Sequence, residues 1–152
     1  MATEMSAKSQ HGVEKCHLCG TDSPLACSAH ARSFHHCPQC DLIFVPASQH
    51  LDEAAQRVRY LQHRNTIDNE GYVATLREPI ALLKKHAPAA RRVLDYGCGP
   101  TPILVELLRR EGCDAHGYDP LFPTCDALAP PYDAIISTET FEHLGNPAAE
   151  LK

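Results

Sequence analysis

The chain has 152 residues, 43% hydrophobic and 22% charged, the proportions of an ordinary globular domain, which excludes wholesale disorder, collagen and coiled coil. Its 14 basic and 19 acidic side chains leave a net charge of −5 with the ten histidines neutral, which argues against a nucleic-acid protein working through bulk charge. No run reaches the ~18 consecutive apolar residues of a membrane-spanning helix, and residues 1–15 lack the apolar centre of a secretory signal, so a cytoplasmic location with no membrane association is expected.

In chain order, residues 1–13 are small and polar and read as a frayed, disordered tail. Residues 14–46 are dense in Cys and His, with short apolar pieces at 33–36 and 42–45 that predict hairpin strands, and Pro46 closes the unit. Residues 47–90 form a helical linker or cap. Leu51, Ala54, Ala55, Val58 and Leu61 recur at helical spacing, with Ser48 as the candidate cap. A polar break at 65–71 precedes a second helix, whose Val73, Leu76, Ile80 and Leu83 share one face and which Pro79 is expected to kink. Residues 91–152 alternate strand and helix. RVLDY is a buried strand; a helix follows with Thr101 as cap, Pro102 at its first position and Gly112 at its end; DAHGY is a second strand. A proline-rich connector at 121–131 has room for a short third strand, YDAIIST is a fourth, and FEHLGNPAAELK begins a further helix. Alternation at this pitch predicts an α/β fold with a parallel sheet.

Two constellations carry chemistry. The first is Cys16-x2-Cys19-x17-Cys37-x2-Cys40. Each CxxC turn sets two sulfurs on one side of a tight knuckle, and two knuckles complete a tetrahedron, the pattern of a structural zinc ribbon with four thiolate ligands. A segment of about thirty residues buries too little core to fold alone, so bound metal would supply its folding energy. The competing readings are free thiols or a redox dithiol, but a redox motif belongs beside a βαβ unit. His17, His35 and His36 read as bystanders, Cys27 as a spare loop cysteine, and Cys98 and Cys113 as small buried residues.

The second is VLDYGCGPTPIL, a strand running through glycines into a helix, the opening turn of a Rossmann-like unit. A dinucleotide fingerprint wants a third glycine where Pro102 stands, and Asp95 would repel a pyrophosphate. A carboxylate there suits a cationic ligand instead. S-adenosylmethionine carries an ammonium and a sulfonium, and Gly97 and Gly99 would admit its methionine end to the backbone. The second strand ends Gly117-Tyr118-Asp119-Pro120 and the fourth Ser137-Thr138-Glu139-Thr140-Phe141-Glu142-His143, polar tips that converge on one crevice of a parallel sheet.

On VLDYGCGPTPIL, GYDP and YDAIISTETFEHL, residues 91–152 resemble class I S-adenosylmethionine-dependent methyltransferases, and the preceding ribbon and YLQHRNTIDNEGY segment resemble a bacterial subgroup with an N-terminal metal-binding module. The resemblance implies an incomplete Rossmann-like sheet, strands 1–4 of the methyltransferase fold. It makes Asp95, Tyr96, Gly97 and Gly99 the cofactor loop, Asp119 the ribose-binding acid, and Tyr118 and Pro120 the flanks of the adenosine. Thr138 and Glu139 would line the cofactor or acceptor side, and Glu142-His143 the acid–histidine pair, His143 taking a proton from the acceptor or helping to bind a metal. Tyr60, His63, Asn65 and Tyr72 would belong to a helical lid. The alternatives are a helix-cap or turn residue for Asp95, a turn residue before Pro120 for Asp119, helix surface for Tyr60 and His63, an ordinary surface histidine for His143 and a first-turn acid favoured by the helix dipole for Glu142.

The family's sheet usually has seven strands, and about sixty residues after Arg91 are few for an α/β layer, so a truncated, inactive chain is also expected. The acceptor is expected to be a small molecule, with a protein partner open through the ribbon and nucleic acid disfavoured. Two other classes remain: a non-catalytic zinc-ribbon interaction module with a degenerate methyltransferase remnant, and an NAD-dependent oxidoreductase.

Overall fold

The computed structural model describes residues 12–63, 65–122 and 131–150 and divides into two compact units, Met1–His50 with Leu144–Lys152, and Leu51–His143.

The first unit is built on two equivalent turns. Cys16 N–H donates to Thr21 O and Gly20 N–H to Cys16 O, both at 2.9 Å; Cys37 N–H donates to Leu42 O at 2.9 Å and Asp41 N–H to Cys37 O at 3.0 Å. Each turn closes on a left-handed residue, Gly20 at φ 77° and Asp41 at φ 59°. Glycine adopts this conformation freely, and aspartate's short polar side chain tolerates it. Strands β1 (Glu14–Lys15) and β2 (Asp22–Ser23) pair antiparallel around the first turn. Strands β3 (Leu25–Ala29), β4 (Arg32–His36) and β5 (Ile43–Phe44) form an antiparallel sheet in that order. The two expected hairpin strands are β4 and β5. The LACSA strand carries no strand-favouring side chain and is formed by its pairing with β4, through a two-residue turn in which His30 and Ala31 both take positive φ (50° and 60°). Among the described residues the hydrophobic cluster here is Cys16, Cys37 and Phe44, with Cys40 and Leu42 against it. Within this unit Pro147–Glu150 forms one short helix.

In the second unit, helix α1 (Glu53–Tyr60) is capped by Asp52, whose carboxylate accepts from Ala55 N–H at 2.7 Å. Ser48 lies instead in a short 3₁₀ turn, Ala47–Gln49. The apolar face expected on α1 is not buried: Leu51, Val58 and Leu61 are exposed, while Arg57 lies over the Phe122 ring at 5.6 Å. Helix α2 (Glu70–His86) starts earlier than its apolar period suggests, because Asn69 accepts from Tyr72 N–H at 3.2 Å and draws Glu70 and Gly71 into the first turn. Pro79 lies within α2 without ending it.

Strands β6 (Arg92–Tyr96), β7 (Asp114–Tyr118) and β8 (Ala134–Ile136) form a parallel sheet in the order β7-β6-β8, with helix α3 (Ile103–Arg110) between β6 and β7. Val93, Ala115 and Ile136 on one sheet face join Ile103, Leu104, Val105 and Leu108 of α3 and Leu76 and Ile80 of α2 in the main core. Thr101 does not cap α3; Pro102 takes that place with no side-chain hydrogen bond, since proline's fixed φ already directs the chain into the helix. Gly112, at φ 87°, turns the chain out of it. Asp133 sets the lower end of the sheet: its Oδ2 accepts from Arg91 N–H and Arg92 N–H, both at 2.8 Å, and these bonds hold its carboxyl below the usual range. The chain after β8 makes a 3₁₀ turn, Phe141–His143, and the short helix Pro147–Glu150 is separate from it, because Gly145 and Pro147 interrupt the single helix expected there. The tail, apart from Gly12 and Val13, and the expected third strand, apart from residues 121, 122 and 131, lie outside the described residues.

Candidate metal centre and candidate cofactor crevice

The four sulfurs of Cys16, Cys19, Cys37 and Cys40 all lie within 4.8 Å of one another, with Cys16–Cys40 at 3.6 Å and Cys19–Cys37 at 3.4 Å. Zinc–sulfur bonds of about 2.3 Å define a tetrahedron with edges of about 3.8 Å, so the set fits a tetrahedral soft cation. Leu18 N–H donates to the Cys16 sulfur at 3.4 Å. Burial opposes ionisation of Cys37, but the N–H groups of Cys40 and Gln39 outweigh it and pull its pKa down. Cys40 is pushed up: the Leu42 N–H favours its thiolate, but burial and the neighbouring sulfurs prevail. Four thiols this close cannot all ionise unless a cation sits among them. The three neighbouring histidines have other partners. His17 packs on Phe44 with ring centres 4.6 Å apart, His35 is buried with Nδ1 3.1 Å from Ser23 O, and His36 pairs with Asp41.

The second site follows from strand order. The chain leaves β6 toward β7 on one side and comes back to β8 on the other, so a topological switch point lies at the carboxyl ends of β6 and β8, where open α/β sheets bind ligands. Asp95, one residue from the end of β6, is 3% exposed. Burial and then the Asp119 carboxylate push its pKa up to about 7. Gly97 and Gly99 follow at φ 85° and 67°. Gly97 N–H and Cys98 N–H both donate to Tyr118 O, at 2.7 and 3.2 Å, fastening the loop to the end of β7. The Cys98 sulfur lies so near Gly117 that a Cβ there would meet it at 2.9 Å.

Tyr96 and Tyr118 are register partners with ring centres 5.5 Å apart. Asp119 grips its own loop: Oδ2 accepts from Gly99 N–H at 2.9 Å, and Oδ1 from Leu121 and Phe122 N–H at 2.8 and 3.2 Å. A carboxylate has about four acceptor directions, so one remains free for a sugar hydroxyl unless the loop yields another. Pro120 follows at the same strand end.

On the β8 side, Thr138 precedes Glu139, which is held at a left-handed φ of 51° and exposed. Glu142 and His143 sit in the next turn, both exposed, with Glu142 Oε1 3.8 Å from His143 Nε2. The Tyr60 ring stands edge-on to His143 at 5.4 Å and to Phe122 at 6.1 Å, with His63 at 6.2 Å. Burial, Asp119 and Glu142 push the Tyr60 hydroxyl up to about 12. Tyr72 is also raised, by burial and then by Asp95 and Cys98. The helical segment therefore sends both tyrosines to the crevice. Sequence reasoning missed Phe122 and Thr140. Phe122 stands at the start of a proline-rich stretch without periodicity. Thr140, 7% exposed, has no pattern to mark it, since its neighbour is a glycine loop more than forty residues away.

A family model described as a methyltransferase domain matches residues 69–152, more than half of the chain. No curated protein and no solved structure matches it.

Proposed function

Because the chain belongs to the methyltransferase-domain family, we propose that it is an S-adenosylmethionine-dependent methyltransferase acting on a small-molecule acceptor, with a structural zinc in its four-cysteine cluster. The observation that carries this reading is the buried Asp95 beside two positive-φ glycines at the switch point of the sheet. A buried carboxylate whose pKa is raised by burial and by the Asp119 carboxylate favours a cationic ligand over a phosphate.

When bound, S-adenosylmethionine supplies a methyl group already activated on a sulfonium. Asp95 would hold its cationic amino-acid end, Gly97 and Gly99 would leave room for it, and Asp119 would offer its remaining acceptor direction to the ribose. Tyr96, Tyr118 and Pro120 would flank the adenosine, and Thr138 and Glu139 would border the acceptor side. His143, exposed at the rim, accepts a proton from the acceptor's hydroxyl or amine near neutral pH, and Glu142 stabilises the imidazolium that forms. Tyr60, edge-on to His143, restricts the ring. A zinc ion held by Cys16, Cys19, Cys37 and Cys40 would serve the fold, since four protein ligands would leave no position for a reactant.

Calorimetric titration of the zinc-loaded chain with S-adenosylmethionine tests the reading. Saturable binding is expected, reduced at least about a hundredfold in Asp95→Ala, the ~3 kcal/mol scale of a partnered buried charge. Equal affinity in the variant would overturn the assignment of the loop.

A further inference from the structure

Thr140 joins the two halves of the crevice. Its hydroxyl has one proton to donate and two carbonyls in reach, Thr138 O at 2.9 Å and Tyr96 O at 3.4 Å. It packs so tightly on the glycine loop that a Cβ on Gly97 would lie 2.1 Å from Thr140 Oγ1 and 2.3 Å from its Cγ2. The opposite face of the same residue faces the acceptor side: Thr140 O accepts from His143 N–H at 2.9 Å, closing the turn that holds Glu142 and His143. One residue earlier, Glu139 takes a left-handed backbone conformation, costly for a non-glycine residue. That conformation directs the next side chain inward, where Thr140 is 7% exposed.

We infer that Thr140 is a positioning residue that couples the cofactor loop to His143, so that occupancy of the glycine loop sets the placement of the proton-accepting imidazole. The inference rests on the functional reading above. A ligand against Gly97 and Gly99 shifts the backbone on which Thr140 is seated. Through Thr140 that shift passes to the carbonyl holding His143 N–H, a path of three contacts within one crevice. Coupling of this kind is reciprocal, so an acceptor fixed at His143 would tighten the cofactor loop.

The test uses the full zinc-loaded chain with labelled histidine side chains and S-adenosylhomocysteine as the probe, reading the His143 imidazole signals by NMR and affinity by calorimetry. In the unaltered chain, saturation with the probe is expected to move the His143 signals. Thr140→Val, which keeps the shape but removes the hydroxyl, is expected to bind the probe within about fivefold, the scale of one neutral hydrogen bond, yet lose most of that movement. Thr140→Ser restores the hydroxyl and is expected to restore the movement. An unchanged His143 response in Thr140→Val would overturn the coupling. So would binding and response lost together in Thr140→Val, since that is the mark of a merely structural residue, or a response missing from Thr140→Ser at full affinity. An unaltered chain that holds zinc but does not bind the probe would overturn the functional reading itself, a result separable from any of these.

Discussion

The two units of this chain reach a folded state by different means. In Leu51–His143 the core is apolar: Leu108 and Val93 are fully buried, and two helices cover one face of a parallel sheet. In the N-terminal unit the buried cluster is two cysteines and one phenylalanine, and its sheets are short. Burial at about 25 cal/mol per Å² can sustain the first arrangement but not the second, where, on the proposed function, cross-linking by a cation would replace the missing core. Within one polypeptide, a thin core is therefore a sign of metal, and a thick one frees its polar strand ends for chemistry.

Metal removal is the strongest way to break this comparison. Chelation of zinc, or Cys37→Ser, is expected to remove on the order of 10 kcal/mol of binding free energy from the N-terminal unit and unfold it, leaving the amide signals of residues 92–118 in place. Simultaneous loss of both sets would show that the units do not fold separately. The reciprocal cut is Leu108→Ala, expected to cost the second unit about 2–5 kcal/mol in chemical denaturation while the bound zinc per chain stays the same.

A third measurement sharpens the contrast by pH. Folding raises the Asp95 pKa from 3.8 to about 7, so the folded chain holds that proton more tightly than the unfolded one. The stability it lends is full below pH 3.8 and is lost as pH rises toward 7. A cationic ligand needs the ionised form, so affinity for S-adenosylmethionine should climb by up to about tenfold per pH unit between 4 and 7 and then level. Calorimetry in buffers of differing ionisation heat should register the released proton, and zinc retention should not follow the same curve near 7. The smallest effect is local. Ala31→Gly relieves a left-handed alanine in the β3–β4 turn, and a gain of up to about 1 kcal/mol is expected in denaturant titrations of the zinc-loaded N-terminal unit.

Residues whose chemistry depends on local spacing could be read from the sequence. The cysteine pairs, the RVLDY and DAHGY strands and the glycine turn needed only neighbours within a few positions, and they stand where that spacing put them. Helix starts were harder, because side-chain caps compete: Asp52 and Asn69 took the roles that the apolar period had assigned to Ser48 and to a polar break. The face of α1 was misread, since helical spacing records amphipathicity but not what a helix packs against, and Tyr60 and Arg57 turn toward Phe122. Asp119 as a turn residue before Pro120 was legible, and its bonds from Leu121 and Phe122 N–H are of that local kind, but its grip on Gly99 and the Thr140 contact were not, for both depend on how distant loops meet.

The order of strands also bears on how the molecule assembles in time. Asp95 pairs with Gly117 on one side and with Ile136 on the other, a separation along the chain nearly twice as long. Closing the longer loop costs roughly 0.6 kcal/mol more chain entropy, so β6, α3 and β7 form first and β8 docks onto them afterwards. Glu142, His143 and the Thr140 contact travel with β8. On the proposed function, the half of the crevice that carries His143 would then be the later one to form, and a newly synthesised chain would hold a nucleoside before it could act on it.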